Sequence, residues 1–124
     1  MEGQERDPLT HKVIGCCYEV HKELGAGFLE KIYSKALIIQ FEYENIKFEY
    51  EKEFNVYYKD KLAGKFRCDF FIEDNVILEI KAVTGIQPKL FQTQLISYLK
   101  ASKLKTGLLV NFGNGSCEIK RLSN

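Results

Sequence analysis

Hydrophobic positions change rhythm several times along the chain, and each change marks an element. From residue 9 to 24, Val13, Ile14, Cys17, Val20, His21 and Leu24 recur at helical spacing. Gly25-Ala26-Gly27 interrupts that stripe, and from Phe28 to about Tyr43 it resumes through Leu29, Ile32, Tyr33, Ala36, Leu37 and Gln40. The pattern predicts two helices, or one helix with a glycine break. Residues 46–58 alternate in part and are rich in Ile, Phe, Tyr and Val, which predicts a strand. A turn over 59–64 leads to a second predicted strand at 65–72, and Glu73-Asp74-Asn75 turns tightly into a third at 76–83. Pro88 opens a helix to about Ser102, with Leu90, Leu95, Ile96, Tyr98 and Leu99 on its apolar side. The apolar run 106–112 suits a buried strand, and Gly113-Asn114-Gly115 turns it into a last strand over 116–122. The order α-α-β-β-β-α-β-β predicts an α/β fold, a mixed sheet of four or five strands flanked by helices.

Composition narrows the class. With 124 residues, 45% hydrophobic and 28% charged, the chain is expected to form a single domain over 1–124. No window approaches the ~20 apolar residues of a membrane span, and the first ten residues lack the apolar core of a secretory signal. Cys16 and Cys17 are adjacent, Cys68 and Cys117 lie alone, and no CxxC pair occurs. Reduced, mostly buried thiols are therefore expected, with no zinc or iron–sulfur site. Together these features predict a soluble cytoplasmic protein with no membrane partner. Charge is segregated: residues 1–79 hold 11 Lys/Arg against 16 Asp/Glu, and residues 80–124 hold 7 against 1. An acidic half beside a basic half fits carboxylates that hold a metal next to a phosphate-tolerant surface, and equally fits solvated faces that happen to segregate.

The most informative segment is 76–83. A strand this apolar is expected to be central, yet it carries Glu79 and Lys81, and charges rarely enter such a strand without a partner or a job. Spaced by two, their side chains leave the same face about 7 Å apart. Asp69 lies in the preceding apolar run, and a hairpin through 73–75 lets Asp69 and Glu79 converge. Two close carboxylates repel, and a divalent cation relieves the repulsion. Oxygen ligands suit Mg²⁺ or Mn²⁺ rather than zinc. The competing reading is a buried Lys81–carboxylate ion pair that serves structure alone.

Asp69 followed by Glu79-Ile80-Lys81 after a turn resembles the D…(D/E)-x-K signature of the PD-(D/E)XK nuclease superfamily, whose fold is restriction-endonuclease-like. Within that superfamily, Gly27-Phe28-Leu29-Glu30-Lys31-Ile32-Tyr33 resembles the G-x-x-E-x-x-Y segment that names the GxxExxY family. Gln94-Leu95-Ile96-Ser97-Tyr98 is similar to the Q-x-x-x-Y motif of RecB-like nucleases, and the likeness runs from about residue 10 to 120. It departs at Cys68 and Ala26, where relatives often have proline, and near Phe91, where many have histidine.

The resemblance implies metal-dependent hydrolysis of phosphodiester bonds in nucleic acid, DNA before RNA. It implies Asp69, Glu79 and the Ile80 carbonyl as ligands of Mg²⁺ or Mn²⁺, with Glu30 directly or through water. Lys81 would orient or deprotonate the attacking water, and Gln94 and Tyr98 would position water or phosphate. Many relatives dimerise or work beside a partner protein. The alternative is a non-catalytic nucleic-acid-binding or regulatory domain that retains the fold. Simpler roles also stand for single residues: Glu30 as a first-turn acid favoured by the helix dipole, Tyr98 as a packing residue and Gln94 as solvated. His21, on the apolar stripe, reads as a satisfied core histidine, and Tyr33 as a packing residue with a polar tip.

Overall fold

A computed structural model describes residues 7–124 of the chain. Residues 1–6, part of the stretch read above as lacking a secretory signal, lie outside the described residues. The elements run α1 (Pro8–Leu24), α2 (Glu30–Tyr43), β1 (Phe48–Tyr50), β2 (Glu53–Tyr58), β3 (Lys61–Arg67), β4 (Phe70–Ile72), β5 (Val76–Lys81), α3 (Leu90–Ser102), β6 (Thr106–Asn111) and β7 (Glu118–Ser123). Asp7 caps α1: its Oδ1 accepts from the Leu9 N–H at 3.1 Å and the Thr10 N–H at 3.4 Å, and Pro8 sits where no intrahelical N–H bond is lost. Gly25, at φ +70°, turns the chain out at the other end. The second helix starts at Glu30, two residues later than expected, because Leu29 is extended and the Phe28 N–H is taken by the Tyr33 hydroxyl.

The main sheet has five strands in the order β1-β4-β5-β6-β7, so the charged apolar strand β5 is central as expected. β5 and β6 run parallel, joined through α3, and the other neighbours are antiparallel. β2 and β3 form a separate two-stranded ribbon.

Here the structure corrects the expected strands. The segment 46–58 is cut at Glu51, φ +58°, into β1 and β2, and 65–72 is cut at Cys68 and Asp69 into the end of β3 and β4. One antiparallel pairing continues through both cuts: the Glu51 N–H donates to the Asp69 carbonyl at 2.8 Å, and the Cys68 N–H to the Lys52 carbonyl at 3.0 Å. The pair bends at this bridge, so its inner half joins the sheet and its outer half leaves. The turn expected over 59–64 shrinks to Lys59 and Asp60, both at positive φ, which the twist of a two-residue hairpin requires. Lys61 onward is already strand, with a register irregularity after Val56. β5 stops two residues short of the expected end, and α3 begins two residues late.

The alternation of β5 divides the core. Val76, Leu78 and Ile80 pack towards α1 and α2 with Tyr33, Leu37 and Phe41. Ile77 packs on the other face with Cys68, Phe71, Leu95 and Leu99, beneath α3. All four cysteines are free, and three are buried. His21 is buried, with Nε2 2.9 Å from the Asn114 carbonyl. No helix among the described residues is long and apolar enough to cross a membrane.

The exit of β5 is tied down by Asn111, a fully buried polar residue. Its Oδ1 accepts from the Val83 N–H at 2.9 Å and the Gly113 N–H at 3.1 Å; its Nδ2 donates to the Val83 carbonyl at 2.9 Å and to Glu118 Oε1 at 3.1 Å. Asn114 grips Gly85 in the same way, at 2.7 and 2.9 Å. The packing is so close that a Cβ on Gly113 would collide with the Val83 backbone carbonyl. Asn111→Ala strands buried backbone groups of Val83 and should lower stability by about 3 kcal/mol. The expected reading is a lower urea midpoint at unchanged slope; an unchanged midpoint would mean that the loop after β5 holds itself.

Candidate active site

Glu79 and Lys81 stand on the α3-facing side of β5, in file with Ile77. The β4–β5 register pairs Phe70 with Leu78, so Asp69, one residue further back, stands opposite Glu79. At that point the backbone ladder stops and the two side chains replace it. The Asp69 N–H donates to Glu79 Oε2 at 2.9 Å, and the Ile80 N–H donates to Asp69 Oδ2 at 2.7 Å. Each acid thus closes the other strand's open backbone group. The remaining oxygens, Asp69 Oδ1 and Glu79 Oε1, have no hydrogen-bond partner among the described residues, and neither is sealed from solvent. A residue's N–H and C=O leave a strand on the same side, so the Ile80 carbonyl also points towards Asp69, past the end of β4.

The electrostatics are unfavourable for the acids as they stand. Burial, then the charge on Asp69, pushes Glu79 up to about 8, against the pull of the Asp69 N–H and of Lys81. Asp69 is also raised, again chiefly by burial, with the Ile80 N–H and Lys81 opposing. Glu30, in the first turn of α2, is solvent-exposed, yet its carboxyl is raised by partial desolvation and by Asp69, and lowered by Lys81. It therefore shares the field of the pair. Burial pushes the neighbouring Cys68 thiol up to about 12, helped by Glu79 and Asp69. Lys81 does not neutralise the acids by contact: the ion pairs among the described residues do not include it, and its Nζ lies 4.3 Å from the centroid of the Phe91 ring. The structural ion pair considered for Lys81 is not formed.

The two helices supply the walls. Tyr33 is fully buried, stacked on Phe112 at 4.6 Å and 9°; its hydroxyl donates to the Gly25 carbonyl at 2.5 Å and accepts from the Phe28 N–H at 3.2 Å. That clamp fixes the Gly25–Phe28 turn, where Gly27 has φ +110°, and so sets the start of α2 and the position of Glu30. Tyr98 on α3 is half-buried and stacks on Phe66 of the ribbon at 4.1 Å and 10°. Its phenol is raised by burial, then by the charges on Glu79 and Asp69. Gln94 is exposed, on the same helical stripe as Phe91 and Tyr98, with no hydrogen bond to another described residue. Asp69 and Glu79 therefore face each other, Lys81 shares the strand face of Glu79, and Tyr98 and Gln94 lie on the helix that packs on that face, while Glu30 stands at the start of α2.

Sequence reasoning missed Asn111, Asn114 and Glu118, which fix the chain just beyond Lys81. A lone asparagine in the run Leu108-Leu109-Val110-Asn111-Phe112 was the available signal. It also missed the Phe66–Tyr98 stack, because no local pattern pairs a ribbon with a distant helix.

The donor set fits a hard divalent cation. Two partly unsatisfied carboxylates and a free-ended carbonyl offer oxygen only, as Mg²⁺ and Mn²⁺ prefer. Among the described residues no three His, Cys, Asp or Glu side chains form a ready-made cage. Glu30 therefore does not complete a three-carboxylate cluster with Asp69 and Glu79.

The raised Glu79 has a consequence for the metal-free protein. Unfolded, this acid ionises near 4.5; folded, near 8. Between these values the folded state binds more protons, so stability falls as pH rises from about 4.5 and levels off above about 8. The melting temperature in chelator should be lower at pH 8 than at pH 5 by on the order of 10 °C. Glu79→Gln should remove most of that difference; an equal slope in the variant would place its origin elsewhere.

Comparison with known proteins identifies the family and the fold. A family profile described as the PD-(D/E)XK nuclease superfamily matches residues 7–122. The crystal structure of SSO0001 is similar in fold, with a TM-score of 0.60 at 22% identity, over 76% of this chain and 49% of that one. The chain thus spans about half the length of that protein. No curated protein matches. With the superfamily profile covering nearly all of its length and the mixed sheet presenting Asp69 opposite Glu79-Ile80-Lys81, the chain belongs to the PD-(D/E)XK nuclease superfamily.

Proposed function

We propose that the protein is a divalent-metal-dependent nuclease that hydrolyses phosphodiester bonds of nucleic acid, DNA in the first instance. One observation carries the reading. Two largely buried carboxylates face each other, each with an uncommitted oxygen, and the lysine beside them leaves their charge unpaired. Superfamily membership supports it.

Asp69 and Glu79, with the Ile80 carbonyl, would hold Mg²⁺ or Mn²⁺, with Glu30 directly or through water. The bound ion supplies Lewis-acid polarisation of the scissile phosphate and a lowered pKa for its water. Lys81, on the same face two residues from Glu79, orients or helps deprotonate the attacking water and offsets the negative charge that develops on phosphorus oxygens in the transition state. Tyr98 and Gln94 line the α3 side, where a hydroxyl and an amide donate to water or to a phosphate oxygen. The Gly27, Glu30 and Tyr33 arrangement supports placement in the GxxExxY family: Tyr33 holds the turn and Glu30 projects from it. A single domain over 1–124, a cytoplasmic location and action as a homodimer or beside a partner protein belong to the same proposal.

The test is a cleavage panel of single- and double-stranded DNA and RNA in Mg²⁺, in Mn²⁺ and in chelator. Metal-dependent cutting should fall roughly a thousandfold or more in Asp69→Ala and Glu79→Ala, and about 10²–10³-fold in Lys81→Ala. Full activity in either acid variant would overturn the assignment. Saturable nucleic-acid binding with no turnover in either metal would establish the non-catalytic binding or regulatory domain instead.

A further inference from the structure

We propose that Phe91 is a positioning residue that holds the Lys81 ammonium away from Asp69 and Glu79, so that the carboxylate pair stays open to a divalent cation. The proposal rests on the reading of that pair as a cation site. Lys81 stands about 7 Å from Glu79 along one strand face, within reach of a lysine stem. Glu79, Asp69 and Glu30 all attract its charge. A simple expectation is that the ammonium collapses onto the acids, filling the place a cation needs.

The ammonium instead lies 4.3 Å from the centre of the Phe91 ring, over the electron-rich face that attracts cations. The ring is fixed. Phe91 is half-buried, packed against the cluster formed by Cys68, Ile77 and Leu95, and its N–H donates to the Pro88 carbonyl at 3.2 Å. Lys81 is fixed from behind as well, since its carbonyl accepts from the Phe112 N–H at 2.9 Å, just before the loop gripped by Asn111. The geometry gives the lysine a seat beside the acids without a bond to them.

The test is Mn²⁺ binding by calorimetry on wild type, Phe91→Leu, Lys81→Met and the double variant. Phe91→Leu frees the ammonium to pair with the acids, and Mn²⁺ affinity should fall about five- to tenfold. Phe91→Trp, which keeps an aromatic face, should lose little. Lys81→Met should not weaken binding, and adding Phe91→Leu to it should change nothing further. An equal loss from Phe91→Leu with and without the lysine would reduce Phe91 to packing and overturn the proposal. A second readout needs no metal: a ring-current upfield shift of the Lys81 ε-methylene protons, present in wild type and lost in Phe91→Leu. Its absence in wild type would overturn the seat even if Mn²⁺ binds. A wild type that shows the shift yet binds no Mn²⁺ would overturn the cation site and leave the seat standing.

Discussion

The site depends on one break in a ladder of hydrogen bonds. Between β4 and β5 the backbone pairing ends after Phe70 and Leu78, and Asp69 and Glu79 take over with carboxylate oxygens where carbonyls would have served. A carboxylate can close an exposed N–H as a carbonyl does, and it brings a second oxygen that the strand does not use. The groups that end the hairpin neatly are therefore the groups that crowd negative charge at its end. Apolar residues at these two positions could pack, but the strand ends would then carry unpaired N–H groups in a half-buried place, at about 1–3 kcal/mol each. Structure and chemistry are asked of the same atoms.

The bend that produces this break also produces the ribbon. At Glu51 and Asp69 one continuous antiparallel pairing turns out of the sheet, and β2 and β3 are left without a third strand. An isolated two-stranded ribbon is marginal in water. This one is held by a run of aromatic contacts: Phe54 against Phe66 and Phe71, and Phe66 against Tyr98. The far end of that run is Tyr98, one of the residues proposed for the site. Tyr33 repeats the arrangement on the opposite face, stacked on Phe112 while its hydroxyl secures the turn before Glu30. Each wall of the site is thus set by a tyrosine whose ring packs in the body of the protein.

Periodicity made the helices and the central position of β5 legible, because a stripe of apolar residues every three to four positions, or a run too apolar for an edge, carries its own explanation. Spacing made the common face of Glu79 and Lys81 legible, since a strand permits no other arrangement. The split of 46–58 and 65–72 was not legible. The residues on both sides of Glu51 and of Asp69 are equally β-prone, and the cause of the cut is the bend of one strand against another. Asn111 was hidden for a related reason. An asparagine within an apolar run looks like a small fault in the pattern until the loop it binds, 28 residues earlier, is placed beside it. In this chain the departures from local pattern fall at Asp69, at Lys81 and just beyond it, which is where function is expected to override local preference.

The segregation of charge takes on meaning in the same way. The acids of the site come from the first 79 residues, on α2, the bend and β5, whereas Lys81 and the helix that covers its face come from the basic remainder. The parallel pairing of β5 with β6 is what joins the two, because a parallel neighbour requires a crossover, and the crossover is α3. That helix brings Phe91 against the lysine and Tyr98 against Phe66 of the ribbon, seven residues apart on one stripe.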